Sequence, residues 1–187
     1  MDLQAVNLTK QWIERFVIGL RLCPFAHYSF YDDTIFYMLS DGKSMKEMEA
    51  DLIELIDKLI AVTDDEISNA FVIYNAAFTF HEMLSLKENV DSEMEENGKS
   101  SKVQTVVFHP DFQFGDEDFD AHVNFTNRSP LPMIHVLRVD EVSKAIEMTE
   151  NVDQIPFNNK RRLEMLRIKD VSEVFEDGFI DRIKKYI

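Results

Sequence analysis

Strands and helices alternate along this chain, and the order predicts an α/β (α+β) fold: a four-stranded mixed sheet in a two-layer sandwich, related to the ferredoxin-like type, with helices mostly on one face. Two observations predict it. Short apolar or β-branched runs of strand length recur at 34–39, 70–76, 103–108 and 133–138. Between the first three of them lie stretches with apolar residues at helical spacing, each opened by a capping signature. A three-layer arrangement is the alternative that this order leaves open.

Taken in order, Leu8, Trp12, Ile13, Phe16, Val17 and Leu20 recur at helical spacing, so an amphipathic helix is expected over about 3–22. Pro24 ends it, because a proline disfavours helical geometry in the residue before it. Thr34 to Leu39 reads as a strand, and Asp41-Gly42 as a turn. Ser44 with Glu47 opens a helix through Leu52, Ile56 and Leu59. Ala70 to Ala76 is an apolar run of strand length, and Thr79 with Glu82 repeats the capping box. The helix it starts fades into a Glu-rich solvated face and stops at Asn97-Gly98. Val103 to Phe108 and Met133 to Arg138 are the last strands, separated by a long, proline-containing loop of little periodicity. Asp140 is the expected N-cap of the next helix; Asn158 to Arg167 is helical, and a final amphipathic helix runs from about Val171 through Val174, Phe175, Phe179, Ile180 and Ile183.

Composition narrows the class of partner. The chain has 187 residues, 45% of them apolar and 15 of them Phe, enough for one domain over 1–187 with a sizeable core. A formal net charge of −15 repels phosphate backbones and anionic lipid, so neither nucleic acid nor a membrane is expected as partner. No apolar run approaches bilayer-spanning length, and Met1-Asp2-Leu3-Gln4 lacks the basic and apolar regions of a secretion signal. With a single cysteine, Cys23, no internal disulfide can form; a cytoplasmic setting is the expectation.

Chemistry gathers at few places. His109 ends a strand and enters the long loop, well placed to move protons near neutral pH, or to hydrogen-bond a loop carbonyl. The tract Asn124-Phe-Thr-Asn-Arg-Ser-Pro-Leu-Pro132 sets amides, hydroxyls and a guanidinium in a segment stiffened by two prolines. Arg128 offers a planar fork for a carboxylate or phosphate, with Asn127 and Ser129 as neighbouring donors. The bland alternative has these side chains satisfying loop backbone while Arg128 pairs with a surface carboxylate. Alternation puts Met133, His135 and Leu137 on one face of the last strand and Ile134, Val136 and Arg138 on the other. A histidine so flanked reads first as a satisfied core residue. Arg138, at a strand end, reads as a second anion contact or a helix-facing ion pair. Cys23, just past a helix C-terminus, reads as an inert thiol unless a histidine activates it. No metal is expected, since Cys23, His109 and His135 lack the close ligand pairs of a zinc motif, and nothing identifies a cofactor: no glycine-rich phosphate loop, no Gly-x-Ser-x-Gly, no His-Glu-x-x-His.

Four blocks carry a resemblance: Trp12-Ile-Glu-Arg-Phe-Val-Ile-Gly-Leu-Arg-Leu-Cys-Pro-Phe-Ala26, Phe108-His-Pro-Asp-Phe-Gln-Phe114, Asn124 to Pro132, and His135-Val-Leu-Arg138. In order and rough spacing they resemble the signature blocks of a largely bacterial Domain of Unknown Function family, number 1415. The resemblance spans about 9–166, leaving 167–187 as a helical extension. It implies Cys23, His109, Asn124, Thr126, Asn127, Arg128, Ser129, His135 and Arg138 as patterned polar residues, and implies no reaction, cofactor or substrate. Where the family pattern has an acidic residue after the arginine of the last strand, this chain has Val139.

The functional expectation is an enzyme acting on a small anionic, phosphate- or carboxylate-bearing metabolite by histidine acid/base chemistry. His109 and His135, with Cys23, would be catalytic; Asn124, Thr126, Asn127, Arg128, Ser129 and Arg138 would bind substrate. The alternatives are a non-catalytic metabolite- or protein-binding module, and a polar tract that only staples the long loop to the sheet.

Overall fold

A computed structural model describes residues 2–75 and 77–184. The chain begins with α1 (Asp2–Trp12), which runs directly into a π-helical segment, Ile13–Ile18. The i→i−5 bonds from Gly19 to Glu14 and from Leu22 to Val17 insert extra residues into the spiral. That shift keeps Trp12, Ile13, Phe16 and Leu20 all facing inward. Gly19 permits the tight coil, since a Cβ there would lie 2.1 Å from the Arg15 carbonyl oxygen.

A short helix that the sequence reading passed over, α2 (Ala26–Tyr31), leads into β1 (Ile35–Ser40). The remaining core elements are α3 (Met45–Ala61), β2 (Asn69–Tyr74), α4 (Phe80–Glu96), β3 (Val103–Phe108) and β4 (Met133–Arg138). Both capping boxes are present, at Ser44/Glu47 and Thr79/Glu82, so the helices start where their own first turns dictate. Past the end of α4, Gly98 takes a φ of +66°, a conformation that glycine adopts without a Cβ penalty. The strand expected to reach Ala76 ends at Tyr74; Ala76 itself lies outside the described residues. After β4 come α5 (Val139–Glu147), α6 (Ile155–Leu166), a 3-10 turn (Val171–Phe175) and α7 (Phe179–Ile183). Asp140 lies in the first turn of α5 rather than capping it, since the helix already starts at Val139.

The sheet has the order β1-β2-β4-β3. β1 and β2 are parallel, while β4 runs antiparallel to both β2 and β3. Two β-α-β crossovers, through α3 and α4, therefore lie on the same face, and β4 is slotted between the strands of the second. On that face Ala70, Val72, Tyr74, Val103, Val107, Ile134 and Val136 pack against Met48, Leu52, Leu55, Ile56 and Leu59 of α3 and Met83, Leu86, Val90 and Met94 of α4. Each such aliphatic side chain contributes about 1.5–3 kcal/mol of burial.

The expected α/β class and mixed four-stranded sheet are present, and helices cover both faces rather than mostly one. Phe71, Ile73 and Met133 turn the other way, against Trp12, Ile13, Phe16 and Leu20, with Leu163, Val174, Phe179 and Ile183 closing the same cluster. The amphipathic N- and C-terminal segments had to bury their apolar stripes somewhere, and the crossovers had left one sheet face free. The arrangement has three layers, and α6, on this second face, also packs against the 122–126 turn.

Candidate functional site

The loop from His109 to Pro132 rises from the carboxyl ends of the parallel strands, where ligands of α/β proteins collect. Four of its polar side chains, His109, Asn124, Arg128 and Ser129, are turned inward, while Asp111, Asp116, Asp118 and Asp120 are exposed. Asn124 is fully buried; its amide oxygen accepts from the Phe114 N–H at 3.0 Å, and its nitrogen donates to the carbonyls of Asp118 (2.8 Å) and Phe119 (2.9 Å). A single amide so ties both limbs of the loop to the 3-10 turn His122–Thr126. The Thr126 hydroxyl bonds the Val123 carbonyl and the Asn127 side chain, and the Asn127 amide reaches back to the Val107 carbonyl of β3. Ser129, also fully buried, donates to the Leu131 carbonyl at 2.6 Å. Backbone bonds between His109 and both Asn127 and Ser129 prolong the sheet past the end of β3.

Arg128 is 6% exposed. Its Nε donates to the Phe112 carbonyl (3.2 Å) and its Nη2 to the Phe119 carbonyl (2.6 Å). The guanidinium carbon lies 4.6 Å from the ring centres of both Phe119 and Phe125, a doubled cation–π contact. Burial pulls its pKa down from the ordinary arginine value, and Asp111, Asp120 and Asp170 oppose that pull.

His109 is committed at both ring nitrogens. The Asp111 N–H donates to Nδ1 at 2.9 Å, so Nε2 carries the proton and donates to the Phe78 carbonyl at 2.8 Å. His135 is elsewhere, on the α1 side of the sheet and paired across the strands with Phe71 and Val106. Its ring stacks on Phe71 at 4.0 Å, and Nε2 donates to the Asn69 side-chain oxygen at 2.8 Å. That amide is oriented by its own bond to Ser68. Burial pushes the pKa of His135 down to about 3. Arg138 faces the opposite, α3 side. Its guanidinium donates to the carbonyls of Ile67, Leu59 and Val62, closing the C-terminus of α3. Cys23 is half-buried, and burial raises its thiol pKa despite backbone hydrogen bonds from Phe25 and Ala26, leaving it protonated at neutral pH. The residues named from sequence thus divide among the strand-end loop, the two sheet faces and the end of the N-terminal helix. Among the described residues no group of three or more His, Cys, Asp or Glu could hold a metal ion, and no helix is long and apolar enough to cross a membrane.

Spare polar capacity lies next to Cys23. Asn159 and Arg162, one turn apart on α6, reach the carbonyls that end the N-terminal helix. The Asn159 amide donates to Leu22 at 2.7 Å and Arg162 Nη1 to Arg21 at 2.8 Å. Arg21 is held in the left-handed region at φ +53°. A half-open cleft of about 200 Å³ runs along this junction, lined by Arg21, Pro24, Thr149, Ile155, Asn158, Asn159 and Arg162. Among the described residues, neither arginine is paired with a carboxylate, and the Arg21 side chain has no hydrogen-bond partner. Asn159 is 6% exposed, and its side-chain oxygen has no partner. Sequence reasoning missed this cleft because Arg21 and Arg162 are far apart in the chain; the one local signal was Asn158, Asn159 and Arg162 sharing a helix face.

The fold and these two regions define a three-layer α/β protein with a stapled strand-end loop and an arginine-lined cleft where the N-terminal helix meets α6. The chain belongs to the family described as Protein of unknown function (DUF1415), whose model matches residues 4–173. No curated protein and no solved structure matches it.

Proposed function

We propose that this protein binds a small anionic molecule in the cleft between the Arg21–Pro24 segment and α6, as a non-catalytic module. The observation that carries this reading is the pair Arg21 and Arg162, two arginines lining one cleft and, among the described residues, unpaired with carboxylate, in a chain of net charge −15. Elsewhere such a chain repels anions, so a local pair of arginines makes the site selective by contrast. The volume of about 200 Å³ is below the usual range of ligand pockets, which suits a small metabolite.

Acid/base catalysis by the strand histidines fits less well. A general base needs a free nitrogen that titrates near the working pH. His109 has both nitrogens in internal bonds, and His135 stays neutral far below neutrality. Arg128 and Arg138 hold loop and helix carbonyls, which gives them a structural task.

Thermal denaturation against inorganic phosphate and a set of small carboxylates tests the reading. Wild type should gain stability with anion concentration, Arg128→Lys should keep that gain whatever its own stability, and Arg21→Gly should lose it. A gain that persists in Arg21→Gly and disappears in Arg128→Lys would move the site to the strand-end loop.

A further inference from the structure

The sheet has an open side, and we infer that the outer edge of β1 receives an extended segment of a basic partner protein, added as a fifth strand with an apolar centre and lysine or arginine at its ends. None of the β1 residues lines the anion cleft.

Strands β1 and β3 are the two edges of the sheet. At β1 the Thr34 and Ser40 carbonyls accept from Ser68 and Asn75 beside β2. The even-numbered residues of β1 therefore bond inward, and the N–H and C=O groups of Ile35, Tyr37 and Leu39 point away from the sheet. Among the described residues no turn, loop or helix backbone bonds to them. Strand β2 lies along the inner edge, and α1 and α3 pack on the two faces. Every residue from Ile35 to Leu39 keeps part of its surface in solvent, whereas β2 is buried throughout.

The opposite edge is treated differently. At β3 the Val103 N–H donates to the Lys99 carbonyl, and the Val107 carbonyl accepts from the Asn127 side chain. Just beyond, His109 pairs through its backbone with Asn127 and Ser129. The loop so closes one edge and leaves the other bare. Ile35-Phe-Tyr-Met-Leu-Ser40 also lacks the charge or proline that ordinarily blunts an edge strand.

Charge selects the occupant. From Leu22 to Met45 the charged residues are Asp32, Asp33, Asp41 and Lys43, all exposed, so carboxylates bracket the strand at both ends. Lys10 reaches Asp33 at 3.5 Å, and among the described residues Asp32 and Asp41 have no ion pair. Two-fold pairing of β1 with a second copy, centred on Tyr37, would set Asp33 opposite Asp41 of that copy, and each chain brings a net charge of −15. A segment with cationic ends meets carboxylates instead.

Amide hydrogen exchange followed by NMR tests this on the wild-type protein with two synthetic peptides, Lys-Lys-Val-Thr-Val-Thr-Val-Lys-Lys and its counterpart with glutamate for every lysine. The basic peptide should bind about tenfold more tightly than the acidic one. Saturation with it should slow exchange at Ile35, Tyr37 and Leu39, while Phe36 and Met38, already bonded to β2, keep their rates. Tyr37→Pro removes the central outward donor at an edge position where proline is tolerated, and should weaken the basic peptide about tenfold. The wild-type exchange pattern decides the matter if that variant fails to fold. Protection of the three amides that grows with protein concentration alone would replace the partner with a second copy. Equal binding of the two peptides, basic-peptide binding without protection at those amides, or binding of neither would overturn the inference.

Discussion

Two polar regions of this protein use the same residue types to opposite ends. In the strand-end loop, Asn124, Arg128, Ser129 and His109 are buried and turned onto backbone groups, those of the loop itself and, for His109, also the Phe78 carbonyl ahead of α4. In the cleft beside α6, Asn159 and Arg162 begin the same way, capping the end of a helix, while the Arg21 side chain makes no hydrogen bond among the described residues. Burying a polar group without a partner is costly, so a buried guanidinium turned onto internal carbonyls, as in Arg128, has a structural task, whereas the exposed Arg21 side chain is open to something from outside. Residue type alone does not distinguish the two; the bond inventory does.

The sharpest way to test the structural half is Asn124→Ala. It removes three hydrogen bonds and leaves the Phe114 N–H without its acceptor, while the Asp118 and Phe119 carbonyls each keep one other donor. We expect a loss of about 3 kcal/mol and a melting temperature lower by roughly 10 °C, with anion stabilisation of the folded fraction retained. Arg128→Met should cost about 2 kcal/mol, by freeing the Phe112 carbonyl, removing one of the two donors to the Phe119 carbonyl and losing two ring contacts; chemical denaturation measures it.

His135 gives a pH signature that separates a desolvated spectator from a working base. Its folded pKa is depressed, so as pH falls the unfolded chain takes up the proton first. Its contribution to stability is complete above about 6.5 and is lost progressively towards about 3, at up to about 1.4 kcal/mol per pH unit. His135→Gln should therefore show a shallower fall in stability between neutrality and mild acid than wild type does. Identical slopes would mean that the ring is not desolvated. The smallest effect belongs to Arg21→Gly. Glycine accepts a positive φ freely, so the ligand-free variant should be about 0.5–1 kcal/mol more stable, even though it loses anion binding.

How far the sequence was legible follows from the range of the forces involved. The capping boxes at Ser44/Glu47 and Thr79/Glu82 and the strands Val103–Phe108 and Met133–Arg138 are local patterns, and the fold obeys them. The helix Ala26–Tyr31 went unseen because none of its residues is buried, so no apolar period marks it. The π-helical segment left no trace either, since its hydrogen-bond register is chosen by tertiary packing around Trp12 and Phe16. Amphipathic periodicity told which stripe each terminal helix would bury, but not against which sheet face. At the candidate site, the tract from Asn124 to Ser129 was legible as unusual chemistry. Whether its donors met ligand or backbone depended on where the chain returned. Arg21 and Arg162 meet only because α6 folds back across the end of the first helix, and nothing in either neighbourhood announces that.

The claim that the cleft arginines, and not the buried one, receive the anion can be tested directly by following the Nε–H resonances of Arg21, Arg128 and Arg162 by NMR while titrating inorganic phosphate and, separately, acetate. Saturable shifts are expected at Arg21 and Arg162, with Arg128 unmoved. A shift at Arg128 with the two cleft arginines silent would contradict it.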